Sequence, residues 1–269
     1  MEFINKIVEK SKKADSLVCI GLDTDPLKIP VHLRQSGNAV LEFNKSIITA
    51  TKDLVCAYKP NAAFYEAMGS IGIEILEKTC RFIDNNIPII LDIKRGDIGN
   101  TAVQYAYAAY EIFGVDAVTV NPYMGFDAIK PFLRDGKGVF VLCLTSNPSA
   151  GDFQLLDTGG QLLYERVAHA AVEWAKEGEI GLVIGATRPE TMQKIRDIVE
   201  DMPILVPGIG AQGGSIMDVI TNCGGKPGRT IINSSRSILY ASHEKDYAEA
   251  ARSSLEKLRL DINKNRSVE

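Results

Sequence analysis

The stretch Ile87-Pro88-Ile89-Ile90-Leu91-Asp92-Ile93-Lys94-Arg95-Gly96-Asp97-Ile98-Gly99-Asn100-Thr101 decides the fold. It opens as an apolar run of strand length and turns polar at Asp92, Lys94, Arg95 and Asp97, just before a helical pattern begins at Thr101. Residues from Ile87 to Ile93 are nearly uniform in Ile and Leu instead of alternating with polar residues, as in a strand covered on both faces of a parallel sheet. Runs of the same kind lie at Leu17–Leu22, Leu54–Tyr58, Ala117–Val120, Val139–Leu144, Gly181–Ile184, Ile204–Val206 and Thr230–Ile232. Amphipathic segments fall between them, among them Leu41–Lys52, Ile71–Asp84, Thr101–Phe113, Gln161–Glu177, Thr191–Glu200 and Tyr247–Leu260. In the last, Ala251, Leu255 and Leu258 recur at helical spacing. Eight strand-then-helix units predict an α/β protein of the (β/α)8 (TIM) barrel class, one domain over residues 1–269 with a short N-terminal helix. A doubly wound open sheet is the competing architecture, but it rarely strings together so many units without a domain break, and none is visible.

Composition narrows the function. The 269 residues are 45% hydrophobic and 24% charged, ordinary for a globular chain, and a net charge of −4 gives no footprint for nucleic acid. The basic groups Lys10, Lys12, Lys13 and Lys257, Arg259 have acids nearby and read as solvated helix faces. Five cysteines, with no C-x-x-C pair, suit a reducing compartment. No apolar stretch approaches the length of a membrane span, and Met1–Ser16 mixes charges with Phe3, Ile4, Ile7 and Val8 as an amphipathic helix does, without the continuous apolar middle of a signal peptide. The expectation is a cytoplasmic protein.

Polar residues gather at one end of the strands: Gly21-Leu22-Asp23, Tyr58-Lys59-Pro60-Asn61, the Asp92 segment, Asn121-Pro122-Tyr123, Thr145-Ser146-Asn147-Pro148, Pro207 to Gly214, and Asn233-Ser234-Ser235-Arg236. The longest irregular stretches, Thr24–Asn38 and Thr145–Gly159, follow strands at that same end. Convergent polar groups and long loops at the C-terminal mouth are what a barrel active site needs. Asp92 and Lys94, two apart on a strand, point to one side, and Asp97 follows just beyond. Two carboxylates bracketing one ammonium would hold Lys94 charged and aimed, and Lys59 from the neighbouring strand would extend the array. The plainer readings are a structural ion pair at Asp92–Lys94 and a helix cap at Asp97.

Gly208, Gly210 and Gly213 match G-x-G-x-x-G, but the match follows the seventh strand, and Asn233 stands where a dinucleotide fold needs an acid. In a barrel, the loops after strands 7 and 8 commonly cradle phosphate. Gln212 and Arg236 at that mouth favour a cradle over a bare tight turn. His32, His169 and His243 are scattered away from strand ends, so neither a histidine base nor a metal cluster is expected. There is no G-x-S-x-G elbow and no H-E-x-x-H helix. Asp23 suits either a sugar hydroxyl or a turn closed with Thr24.

Taken together, GLD (Gly21–Asp23), YKPN (Tyr58–Asn61), LDIKRGDIGNT (Leu91–Thr101), SNPSA (Ser146–Ala150), PGIGAQGG (Pro207–Gly214) and SSRSI (Ser234–Ile238) resemble the orotidine 5′-phosphate decarboxylase family, in order over nearly the whole chain. The length and the SNPSAGDFQ stretch are similar to its longer, type 2 subfamily. The resemblance implies decarboxylation of orotidine 5′-monophosphate, the last step of de novo UMP biosynthesis, without cofactor or metal. It implies that Lys94 donates a proton to the C6 carbanion, that Asp92 lies near the substrate carboxylate and that Lys59 bridges ribose and charged array. Asp97 and Thr101 would reach into the site of a second subunit, making a homodimer. Asp23 would bind ribose and Ser146 the pyrimidine. Gln212 and Arg236 would hold phosphate, with Pro207, Gly213, Gly214 and Ser235 beside it. Two rivals are sister barrels that use Mg2+ and place an acid where Lys59 stands, and a non-catalytic phosphate-ligand sensor that keeps the barrel.

Overall fold

The computed structural model describes residues 2–186, 188–209 and 214–266. Its strands are β1 Val18–Leu22, β2 Ala57–Pro60, β3 Ile90–Arg95, β4 Ala117–Val120, β5 Gly138–Leu144, β6 Glu179–Ile184, β7 Ile204–Pro207 and β8 Thr230–Ser234. Its helices are α1 Phe3–Ala14, α2 Ala39–Thr51, α3 Ala62–Glu66, α4 Gly69–Phe82, α5 Gly99–Tyr107, α6 Leu163–Trp174, α7 Pro189–Val199, α8 Ile216–Cys223, α9 Arg236–Leu239 and α10 Tyr247–Arg266. The strands pair in parallel in the order β2-β1-β8-β7-β6-β5-β4-β3. Parallel bridges Tyr58–Ile89 and Asn61–Asp92 join β2 to the β3 side and bring the sheet round into a barrel.

Side chains alternate across each strand, and every strand uses that alternation in the same way. Outward residues such as Ile20, Tyr58, Leu91, Val118, Val141, Leu182, Val206 and Ile232 pack with Phe43, Leu76, Ala106 and Met192 of the helices. A separate inner cluster takes one residue from each strand: Cys19, Ala57, Ile90, Ala117, Phe140, Val183, Leu205 and Ile231. Helix α1 seals this cluster from the N-terminal end. Its Phe3 meets Phe140 edge to face at 5.8 Å, and its Ile7 is fully buried. Gly138 makes room for that plug, since a Cβ there would lie 2.3 Å from the Phe3 ring. Burying two such side chains contributes about 1.5–3 kcal/mol each. The amphipathic pattern near the N-terminus is thus, over Phe3–Ala14, a helix whose apolar stripe closes a barrel.

Some boundaries differ from the sequence reading. The third strand is expected at 87–93 but pairs over Ile90–Arg95, because Pro88 has no N–H for the ladder and serves only as acceptor for Tyr58 N. The second is expected at 54–58 and pairs over Ala57–Pro60. The helix expected at 101–113 is α5 followed by a π-helical turn at Ala108–Ile112. Helices α3 and α9 are too short to leave a periodic trace. The long segments after β1 and β5 lie at the C-terminal face as expected and contain 3-10 turns at Val31–Leu33 and Pro148–Asp152. Among the described residues, no helix is long and apolar enough to cross a membrane.

Candidate active site

Two residues beyond each inner apolar position, the inward face reaches the mouth. Those positions are Gly21, Lys59, Asp92, Thr119, Leu142, Gly185, Pro207 and Asn233. All except Gly21 line one or both of two cavities. The larger, of about 380 Å3, is bounded by Lys94, Thr119, Leu142, Leu144, Thr145, Ser146, Asn147 and Gly185. The smaller, of about 140 Å3, is bounded by Asp23, Asn61, Gly208, Ile209, Asn233, Ser235 and Arg236. Lys59, Asp92 and Pro207 belong to both, so the charged residues stand at the junction of a half-apolar chamber and a polar one.

The charges are arranged around one carboxylate. Lys59 donates to Asp92 Oδ2 at 2.8 Å, while Lys94 at 2.5 Å and the Thr119 hydroxyl at 2.8 Å both donate to Oδ1. Lys59 and Asp92 are 4% and 8% exposed, whereas the Lys94 side chain remains about half exposed toward the cavity. Burial disfavours the charged form of Lys59, but the attraction of Asp92 and Asp23 outweighs it and raises its pKa. Burial also works against the Asp92 carboxylate, and the two ammonium groups overcome that and hold its pKa well below the usual range. Both groups are ionised near neutral pH, and Asp92 is fixed by three donors.

Lys94 is set by an irregularity in β3. The pairing with β4 jumps from Leu91–Val118 to Arg95–Val120, so more residues are used on β3 than on β4. Lys94 takes φ +45° at this bulge, a left-handed conformation that costs a non-glycine residue of order 1–3 kcal/mol. The Thr119 hydroxyl oxygen accepts from Ile93 N at 3.1 Å and Lys94 N at 3.0 Å, giving both bulge amides a partner.

Within one chain, Asp97 does not bracket Lys94. Asp97 borders neither cavity, and its Oδ1 accepts from the adjacent Ile98 N at 2.8 Å, one residue outside the first turn of α5. Asp97 therefore neither pairs with Lys94 in its own chain nor caps α5 in the usual way. Thr101 lies exposed on α5, also away from both cavities. Ser146 lines the larger chamber, and Gly185 allows this approach, since a Cβ there would lie 2.7 Å from Ser146 N.

The smaller chamber holds two acceptors that the described residues leave unpartnered. Asp23 Oδ1 and Asn233 Oδ1 are buried acceptors without a hydrogen bond among the described residues, a state that folded proteins seldom leave unused. A ligand carrying hydroxyl groups would satisfy both. Gly21 has no room for a side chain because a Cβ would lie 1.9 Å from Ser235 Oγ. Arg236, at the start of α9, is exposed and also borders a third cavity with Asp25, Lys28 and Tyr240. Gly214 packs on Ala186, where a Cβ would come within 2.5 Å, and bridges to Ile209. Gln212 and Gly213 lie outside the described residues. Thr119 and Asn233 were not anticipated as site residues, although each is a polar residue at an inward position of its strand, in phase with Asp92. Among the described residues there is no group of three or more His, Cys, Asp or Glu side chains placed to hold a metal ion.

Residues 16–252 match the model of the orotidine 5′-phosphate decarboxylase / HUMPS family. The chain is 48% identical over 277 aligned positions to orotidine 5′-phosphate decarboxylase of Cupriavidus metallidurans, covering 99% of each. Leishmania donovani OMP decarboxylase superposes with a TM-score of 0.86 at 37% identity, with 99% of both chains covered. Leishmania donovani UMP synthase gives a TM-score of 0.88 at 38% identity, and this chain spans 57% of that longer one. With its barrel, its Lys59–Asp92–Lys94 array and sequence kinship over nearly its whole length, the chain belongs to the orotidine 5′-phosphate decarboxylase / HUMPS family.

Proposed function

We propose that this chain decarboxylates orotidine 5′-monophosphate to UMP and CO2 and that Lys94 supplies the proton that replaces the carboxylate. The observation that carries this reading is the Lys59–Asp92–Lys94 array at the junction of two chambers. The pyrimidine occupies the larger chamber beside Ser146, with Leu142 and Leu144 against its face. The ribose hydroxyls meet Asp23 and Lys59 in the smaller one. The phosphate lies beyond, held by Arg236 and Gln212 with Pro207, Gly213, Gly214 and Ser235 around it.

Cleavage of the C6–carboxylate bond releases CO2 and leaves the electron pair on C6, with no adjacent carbonyl to receive it. The Lys94 ammonium, already fixed by Asp92, stabilises that pair electrostatically and then transfers a proton to C6. Water returns a proton to Lys94 before the next turnover. The Asp92 carboxylate aims the Lys94 side chain and faces the substrate carboxylate at the start of the reaction. Binding energy from the remote phosphate is available to hold the reacting ring in place. A metal-dependent reading is disfavoured by Lys59, which puts a buried cation where an oxygen ligand would be needed. An absorbance assay of orotidylate consumption by the purified protein tests the function. Turnover insensitive to EDTA is expected, and no turnover under any condition would refute it.

The active form is a homodimer in which Asp97 and Thr101 complete the partner's site. Both residues lie beside an apolar face that one chain leaves open: Ile98 is 56% exposed, Val103 42% and Tyr107 50%, with Tyr123 and Met124 exposed on the turn after β4. Equal mixing of refolded Lys94→Ala and Asp97→Ala chains, each nearly inactive alone, is expected to restore about a quarter of wild-type activity. Half the dimers are then hybrids with one intact site. Activity no greater than the sum of the two variants would exclude shared sites.

A further inference from the structure

Inside the barrel, Thr119 of β4 stands in the same inward layer as Lys59 and Asp92 and lines the larger chamber. We propose that Thr119 is a positioning residue for the reaction, linking the backbone bulge that presents Lys94 to the carboxylate that aims it. This inference rests on the decarboxylase reading above.

Thr119 is 1% exposed and uses its hydroxyl completely. As acceptor it takes Ile93 N and Lys94 N, and as donor it gives its proton to Asp92 Oδ1. The directions are forced: the two amides can only donate, so the hydroxyl hydrogen is left for the carboxylate. Lys94 Nζ reaches the same Oδ1. A closed circuit results, from the Lys94 amide through Thr119 and Asp92 back to the Lys94 ammonium. One hydroxyl thereby holds both ends of the same lysine.

The circuit explains two otherwise separate facts. Lys94 keeps an unfavourable left-handed backbone because Thr119 satisfies the amides that the bulge removes from the β3–β4 ladder. Asp92 keeps its carboxylate in one orientation because Thr119 and Lys94 share one oxygen and Lys59 takes the other. A valine at this position would keep the shape and lose both functions. A serine would keep the hydroxyl and lose only a methyl group.

The test compares Thr119→Val, Thr119→Ser and Thr119→Ala with wild type and with Lys94→Ala, measuring kcat, KM for orotidylate and Kd for UMP. Thr119→Val is expected to lose kcat by about ten- to a hundredfold, the scale of a hydrogen bond to a charged group. UMP affinity should stay within about threefold of wild type, since the product has no carboxylate to be aligned. Thr119→Ser should return kcat to within about threefold. If Thr119→Val does not fold, the pair Thr119→Ser and Thr119→Ala carries the test, with alanine expected to fall at least about tenfold below serine. Equal kcat for a hydroxyl-bearing and a hydroxyl-free variant would overturn the proposal, as would serine failing along with valine. An inactive wild type would refute the decarboxylase reading instead, while an active wild type with an inactive Lys94→Ala leaves that reading intact whatever Thr119 does.

Discussion

The two ends of the barrel are built from the same eight strands and differ by a single step of two residues. At the closed end the inward positions are Cys19, Ala57, Ile90, Ala117, Phe140, Val183, Leu205 and Ile231, capped by Phe3 and Ile7. One step on they are Gly21, Lys59, Asp92, Thr119, Leu142, Gly185, Pro207 and Asn233. The apolar end supplies stability through close packing. The polar end holds buried charge and a strained lysine, features that cost stability and are retained where chemistry uses them. Changes at one end should therefore be read out in folding, and changes at the other in turnover.

The largest effect expected is at the mouth. Lys94→Ala removes both the ammonium and the proposed proton donor and should lower kcat by at least about 10⁴-fold while UMP still binds. Single-turnover assay alongside UMP titration checks this, and wild-type-like turnover would remove Lys94 from the mechanism. At the other end, Phe3→Ala should destabilise by about 3–5 kcal/mol in urea unfolding, with kcat of the folded enzyme unchanged. A matching fall in kcat would show that the two ends are coupled. Arg236→Ala is expected to raise KM by about ten- to a hundredfold and to leave melting temperature nearly unaltered, because the role proposed for this exposed side chain is to hold ligand and not fold.

The smallest effect concerns pH. The folded pKa of Asp92 lies below its unfolded value, so the stability this group contributes is present above about pH 4 and is lost as pH falls toward the folded pKa. Asp92→Asn lacks that contribution. Its unfolding free energy should be lower than wild type at neutral pH and should change less between about pH 4 and pH 2. Parallel curves for the two proteins would mean that Asp92 carries no linked charge.

The contrast between the ends also separates what was legible in the residue order from what was not. Lys59, Asp92, Lys94, Ser146, Ser235 and Arg236 announce themselves as polar residues at or near strand ends, with Pro207 closing β7 beside them, and all of them line the cavities. Asp97 sits in the same run, and spacing alone suggests that it flanks Lys94. In its own chain it instead accepts from Ile98 N. Thr119 was hidden within Ala117–Val120, where one threonine among apolar neighbours has the appearance of strand filler.

The sequence alone determined the number and order of the strands, the longer helices between them, the amphipathic character of residues 3–14 and the end at which polar groups collect. These are local properties, set by the periods of two and 3.6 residues with which a backbone displays its side chains. Only the tertiary structure decided that α1 plugs the barrel, that β3 bulges at Lys94, and that one threonine hydroxyl serves two amides and a carboxylate. The physical reason is that a hydrogen bond or a close contact across the barrel depends on which distant segment arrives opposite, and neither spacing nor composition along one strand carries that information.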